Sequence, residues 1–209
     1  MTDYNQPYRK NPLLKRSYSL IAPFYDCVVA HPLLDARNRS LRALPADAAG
    51  NVLLSGVGTG LDLPLLPKIH HYTALDFNAA MLARAKSRDT QLSINWILGD
   101  SMSLPFPDQH YDYVLLHLIL AVVPQPALCL SEAARVLKTN GTIIIFDKFL
   151  RPQQPALLRR ALNPLFQRLA TRLDVVFEDV LAEVPDLQVV SDTALLAGGW
   201  FRGIVLRKK

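Results

Sequence analysis

Five short apolar runs constrain this chain most. "NVLLS" (51–55), "HYTALD" (71–76), "SINWILGD" (93–100), "YDYVLLH" (111–117) and "GTIIIFD" (141–147) each stop at a polar or turn-forming residue. They are continuous rather than alternating, the pattern of strands buried on both faces. The segments between them read as helices. "NAAMLARAKSR" (78–88) has a helical pattern with Asn78 as N-cap. "QPALCLSEAARVLK" (125–138) has Pro126 in its first turn and Asn140-Gly141 to close it. Residues 61–68 read as a helix or helical turn weakened by Pro64 and Pro67. Strands alternating with helices specify an α/β fold with a doubly wound, mostly parallel sheet.

In such sheets ligands bind beyond the carboxyl ends of the strands, where the strand order reverses. The first run leads into "LLSGVGTGLD", Leu53 to Asp62, so a glycine loop lies at that position. Glycine reaches positive φ without strain and lets a ligand approach the main chain. A plain tight turn would look the same. Two acids narrow the reading. Asp76 ends the second run, 20 positions after Gly56, where it can accept from two ribose hydroxyls. Asp100 ends the third, in "LGDSM", where it can meet an exocyclic amine. Either alone is an ordinary loop aspartate; beside the glycine loop they form a constellation. A dinucleotide site needs G-x-G-x-x-G, but Gly56, Gly58 and Gly60 are spaced G-x-G-x-G and Leu61 takes the third glycine's place. No G-x-x-x-x-G-K-[ST] loop occurs either. A nucleoside ligand without phosphate fits this loop best.

Composition sets the remaining limits. Half of the 209 residues are hydrophobic, which excludes a disordered chain. The net charge of +5 is mildly basic, but the basic residues are scattered and no RNA-binding module is added, so no nucleic-acid partner is expected. Cys27 and Cys129 sit in apolar surroundings and form neither a disulfide framework nor a metal spacing. His31, His70, His71 and His110 show no metal pattern and read as surface residues. The amino-terminal residues lack a signal-peptide core, and no apolar run approaches the ~20 residues that span a bilayer. A cytoplasmic protein is expected, with peripheral membrane contact left open.

The motifs together resemble class I S-adenosylmethionine-dependent methyltransferases. "GVGTG", "YTALDFNAAMLARAK", "LGDSMSLPFPDQHYDYV" and "ARVLKTNGTIIIFD" occur in that family's order, and "SLIAPFYD" resembles the leading helix of one subgroup. That subgroup contains ubiquinone/menaquinone C-methyltransferases and bacterial phosphatidylethanolamine N-methyltransferases. The resemblance implies S-adenosyl-L-methionine as cofactor and a Rossmann-like seven-stranded sheet with its last strand antiparallel. It implies one methyltransferase domain over 1–209: an arm and leading helices (1–44), a cofactor-binding core (45–150), a helical lid (151–180) and a terminal strand pair (181–209). It also implies roles. Gly56, Gly58 and Gly60 would pass the cofactor's methionine part. Asp76 would hold the ribose, Phe77 and Met81 would pack near the adenosine, and Asp100 would bind the adenine amine, with Ser101 and Met102 lining the ring. His117 would border cofactor and acceptor, and Tyr18 and Tyr25 would close over the site. Relatives usually carry Glu or Asp where this chain has Ser55. Serine can accept a hydrogen bond but brings no charge, which implies weaker cofactor binding.

The cofactor carries the reactivity, so the protein has to bind and orient. A base is needed only if the acceptor must lose a proton. His117 is the best candidate by residue type, although lining the pocket by packing is the more ordinary role for it; Asp147 and Asp26 are weaker. Leu120, in "LAVVPQP" (120–126), is expected to wall the acceptor. In the lid, Leu158, Leu162, Leu165, Leu169 and Leu173 form an apolar stripe beside Arg159, Arg160, Arg168 and Arg172, with Pro164 kinking it. Residues 153–173 can thus rest on a membrane interface or pack as a lid. The expected acceptor is small and amphipathic, a phospholipid amine headgroup or a quinone precursor. The alternative function is a non-catalytic S-adenosylmethionine-binding relative.

Overall fold

A computed structural model describes residues 33–88, 91–152 and 174–209. Seven strands make one sheet: β1 (Asn51–Ser55), β2 (His71–Asp76), β3 (Ile94–Leu98), β4 (Tyr111–His117), β5 (Leu137–Lys148), β6 (Leu187–Leu196) and β7 (Phe201–Lys208). Their spatial order is β3-β2-β1-β4-β5-β7-β6. β1 to β5 pair in parallel, and β7 runs antiparallel to both its neighbours. The chain moves outward from β1 to β3, then returns to place β4 on the other side of β1. The strand order therefore reverses between β1 and β4, and a crevice opens beyond their carboxyl ends.

Alternate residues of the central strands feed opposite layers. Leu53, Val114, Leu116, Ile143 and Ile145 pack beneath helices α3 (Pro126–Val136) and α4 (Phe177–Ala182). Val52, Leu54, Leu115 and Ile144 face the other way, against Leu41 and Leu44, which flank the end of helix α1 (33–41). The expectation of a sheet covered on both faces is met. The edge strand β3 differs, with no fully buried residue.

Helix α2 (Ala79–Lys86) begins as expected: the Asn78 side chain accepts from the Ala80 and Met81 amides. Pro126 opens α3 at a position whose N–H would have no helical partner. Within residues 61–68 the helical-turn alternative holds: a 3₁₀ turn forms at Leu63–Leu65, with Pro64 at its start. Two details depart from the sequence reading. Helix α3 ends at Val136 rather than at Asn140-Gly141. Leu137 is already extended and pairs with Tyr111, and Asn140, at φ 62°, lies where the register of β5 on β4 shifts. His70 is buried rather than superficial: Nε2 lies 2.6 Å from the Pro45 carbonyl oxygen and the ring meets Tyr72 and Tyr113 edge-on.

Tyr18, Tyr25, Asp26, Cys27, His31 and the lid over 153–173 lie outside the described residues. Among the described residues, no helix is long and apolar enough to cross a membrane.

Candidate active site

The glycine loop leaves β1 at the reversal point. Gly56, Gly58 and Gly60 all have positive φ. At Gly56 the reason is packing: a Cβ would stand 2.1 Å from Ile119 Cδ1, which occupies that space from the β4 side. At Gly60 the neighbours are Leu63 and Ala85. At Gly58 a Cβ would meet nothing within 4 Å among the described residues. Gly58 is thus the point where the loop's backbone faces open space, and it lines a cavity over the ends of β1 to β4.

Asp76 holds this loop from the end of β2. Its Oδ2 accepts from Gly58 N at 2.8 Å and its Oδ1 from Asn78 N at 2.9 Å. Burial raises its pKa, and the amides offset only part of that. Phe77 and Met81, from the turn and first helical turn after β2, line the same cavity. Asp100, past the end of β3, bonds Met102 N through Oδ1 at 2.8 Å and lines the cavity with Ser101. The segment that follows is fixed by Arg135. Its guanidinium bonds the Leu104 and Phe106 carbonyls, Asp108 and Glu132, and Glu132 accepts from Leu104 N.

The other side of the cavity belongs to β4 and α1. His117 ends β4 and lies 93% buried. Its Nε2 is 3.2 Å from Ser40 Oγ and its Nδ1 is 3.2 Å from Asp62 Oδ1. Arg37 Nη1 donates to the same oxygen at 2.6 Å. Burial opposes ionisation of Asp62, but His117 and Arg37 outweigh it and hold the carboxyl well below the usual range. Arg37 and Asp62 were not singled out from sequence. One sits in a helix with several charged neighbours and the other in a loop, 25 positions apart, and no spacing rule links them.

The remaining sequence candidates fall around this cavity rather than in it. Ser55 is buried behind the loop and donates to Ser101 Oγ at 2.8 Å. Met102 packs in the core. Leu120 and Asp147, expected at the acceptor, are fully buried and do not line the cavity. Asp147 accepts from Ala121 N and Lys148 N, tying the β4–α3 loop to β5; burial raises its pKa.

The chemistry of the lining suits a particular ligand. Among the described residues it offers three carboxylates, Asp62, Asp76 and Asp100, and one guanidinium, Arg37. Such a surface repels a polyphosphate. It favours a ligand with hydroxyls, an amine and net positive charge. Apolar Leu61, Leu118, Ile119, Val122 and Val123 complete the wall. S-adenosylmethionine combines these features: two ribose hydroxyls, an adenine amine, a sulfonium and an amino-acid end.

Comparison with known proteins agrees. A methyltransferase-domain family profile matches residues 53–145, from β1 into β5. A phosphatidylethanolamine N-methyltransferase of Cereibacter sphaeroides is 36% identical over 193 residues, covering 90% of this chain and 94% of that protein. The ubiquinone/menaquinone biosynthesis C-methyltransferase UbiE of Desulfotalea psychrophila is 30% identical, covering 66% of this chain and 59% of its own length. Among solved structures, the [4+2]-cyclase SpnF superposes with a TM-score of 0.73 over 93% of this chain and 94% of its own, at 16% identity, a likeness of fold alone. The expected cofactor and the seven-stranded fold stand, and the chain belongs to the S-adenosylmethionine-dependent methyltransferases.

Proposed function

We propose that the protein methylates the amine of an ethanolamine-type phospholipid headgroup. The observation that carries this reading is the 36% identity, over nearly the whole of both chains, to a protein named for that activity. The quinone-methylating relative matches over a shorter part of its length.

In this reading Asp76 holds the ribose hydroxyls and Asp100 the adenine amine. Phe77 and Met81 pack near the adenosine, and Gly58 lets the ligand lie against the backbone. When bound, S-adenosylmethionine supplies a methyl group on a sulfonium, open to in-line attack by a lone pair. An amine attacks only when neutral, so its proton must leave to solvent or to a base before the nitrogen–carbon bond forms. His117 faces Ser40 through one ring nitrogen and Asp62 through the other. Its role is therefore positioning: it braces Asp62 and α1 against β4. The apolar wall of Ile119, Val122 and Val123 excludes water from the line of attack.

The test is incubation with methyl-labelled S-adenosylmethionine and vesicles of phosphatidylethanolamine, of phosphatidylcholine, or of phosphatidylcholine carrying demethylmenaquinone. Label in monomethylated phosphatidylethanolamine alone is expected. Label in the quinone instead replaces the proposed acceptor. No label from any vesicle, with cofactor binding intact, favours the non-catalytic alternative.

A further inference from the structure

We propose that Arg37 and Asp62 form the clamp for the amino-acid end of the cofactor, Arg37 taking its carboxylate and Asp62 its ammonium. This rests on the cofactor assignment and not on the identity of the acceptor.

The first ground is what Ser55 does. At the end of β1 this chain has no acid but a buried hydroxyl committed to Ser101. It does not line the cavity. A charge for the ligand's ammonium has to come from elsewhere, and Asp62 stands in the cavity wall seven positions further along. Its side chain is 15% exposed.

The second ground is Arg37. It is the one arginine or lysine in that wall among the described residues. Its side chain is 7% exposed. Nη1 meets Asp62, while Nε is buried and has no hydrogen-bond partner among the described residues. A guanidinium carries five donors in a fork that matches a carboxylate. Taking an ion pair out of water is unfavourable unless further bonds satisfy it, and a bound zwitterion would supply them.

The third ground is order along the sheet. Asp100 and Asp76 lie past the ends of β3 and β2. His117 ends β4 and holds Asp62 and, through it, Arg37. From β3 to β4 are three strand spacings, about 14 Å, across the order β3-β2-β1-β4. An extended nucleoside carrying an aminobutyrate chain has a comparable length. The acidic end of the cavity therefore suits the nucleoside, and the mixed-charge end suits the zwitterion.

Calorimetry tests this with three ligands and no acceptor, so its outcome is separate from that of the phospholipid assay. The ligands are S-adenosylhomocysteine, 5′-methylthioadenosine, which lacks the amino-acid part, and the deaminated thioether that keeps only the carboxylate. Wild type should prefer S-adenosylhomocysteine over 5′-methylthioadenosine by about 100-fold or more, the worth of two charge-assisted contacts. Arg37→Met should collapse that preference about tenfold or more and leave 5′-methylthioadenosine binding close to wild type, which also reports an intact fold. Arg37→Lys should recover part of it and serves as the second variant. Asp62→Asn should weaken S-adenosylhomocysteine but not the deaminated thioether. An unchanged preference in these variants overturns the clamp, as does an equal loss for all three ligands.

Discussion

Ser55 Oγ donates to Ser101 Oγ across 2.8 Å, joining the end of β1 to the turn after β3 over the intervening β2. Both side chains are buried, and Ser101 reaches the cavity wall. Removing one partner leaves the other's hydroxyl unsatisfied, which costs about 1 kcal/mol. Ser55→Ala should therefore lower the melting temperature by roughly 2–4 °C for a chain of this size. It should leave affinity for S-adenosylhomocysteine within about threefold, since the bond it removes is neutral. Scanning calorimetry and titration check the two parts. A loss of affinity larger than that of Asp62→Asn would return the decisive polar role to Ser55.

Two glycines of one loop should behave differently when given a methyl group. At Gly56 the Cβ would strike Ile119 Cδ1 at 2.1 Å, so Gly56→Ala should cost roughly 1–3 kcal/mol for the clash, in addition to the left-handed backbone penalty that it shares with Gly58. Pairing it with Ile119→Val, which removes that methyl, should restore part of the loss. At Gly58 nothing among the described residues lies within 4 Å, and the penalty is the left-handed backbone alone, about 1–2 kcal/mol. Its methyl would occupy the space over the cavity, so Gly58→Ala should weaken the cofactor more than it weakens the fold. Denaturation midpoints and ligand titration on the same samples separate the two. Equal ratios of binding loss to stability loss would refute the distinction.

These contrasts mark what the sequence could carry. Continuous apolar runs ending at polar residues located β1 to β4 because each end is set by local chemistry: the glycine loop, Asp76, the turn before Asp100, His117. Asn78 announced its helix in the same local way. Pairings across the sheet were beyond reach. Nothing near Arg37 or Asp62 indicates that they meet, and nothing near Asp147 indicates that its carboxylate anchors loop amides. The Asn140-Gly141 signal marks an irregularity within a strand rather than a helix end: Leu137 already pairs with Tyr111, and the register shifts before Thr142 meets Tyr113. His70, next to exposed His71, is buried because Pro45 O and Tyr113, both distant in sequence, receive it together with nearby Tyr72.

Asp62 and Asp76 in the cavity wall and Asp147 in the core divide by sign in their pH dependence. Asp62 titrates below the ordinary carboxyl value of 3.8 in the folded protein, held there by His117 and Arg37. A depressed carboxyl contributes stability above the unfolded value and loses it as pH falls through the folded one. Asp76 and Asp147 are raised by burial. Their contribution is present below the unfolded value and is lost as pH rises through theirs. Asp62→Asn should therefore flatten the acid limb, making stability fall less between pH 3.8 and more acid conditions than in wild type. Urea midpoints measured across that range decide it. A parallel acid limb would show that Arg37 and His117 do not stabilise the Asp62 carboxylate.

Arg202 locks the antiparallel end of the sheet to α4. Its guanidinium, 2% exposed, bonds Asp192 on β6 through Nη2 and Nε and Glu178 on α4 through Nη2 at 2.7 Å. It also lies 5.6 Å from the Phe177 ring centroid and 5.9 Å from that of Phe149. Burial disfavours its charge, but the two carboxylates prevail and its pKa is raised. Arg202→Met would fill the space but leave two carboxylates without a cation. Both are partly exposed, so water relieves some of the loss, and about 2–3 kcal/mol is expected rather than the larger penalty of a fully buried pair. A lysine cannot span both partners with one fork, so Arg202→Lys should retain only part of the stability. The loss should be local first. Amides of Phe177–Ala182 should exchange faster with solvent in Arg202→Met, while those of β1 and β4 stay protected until global unfolding. Uniform acceleration across both regions would mean that Arg202 supports the whole sheet and not the attachment of α4.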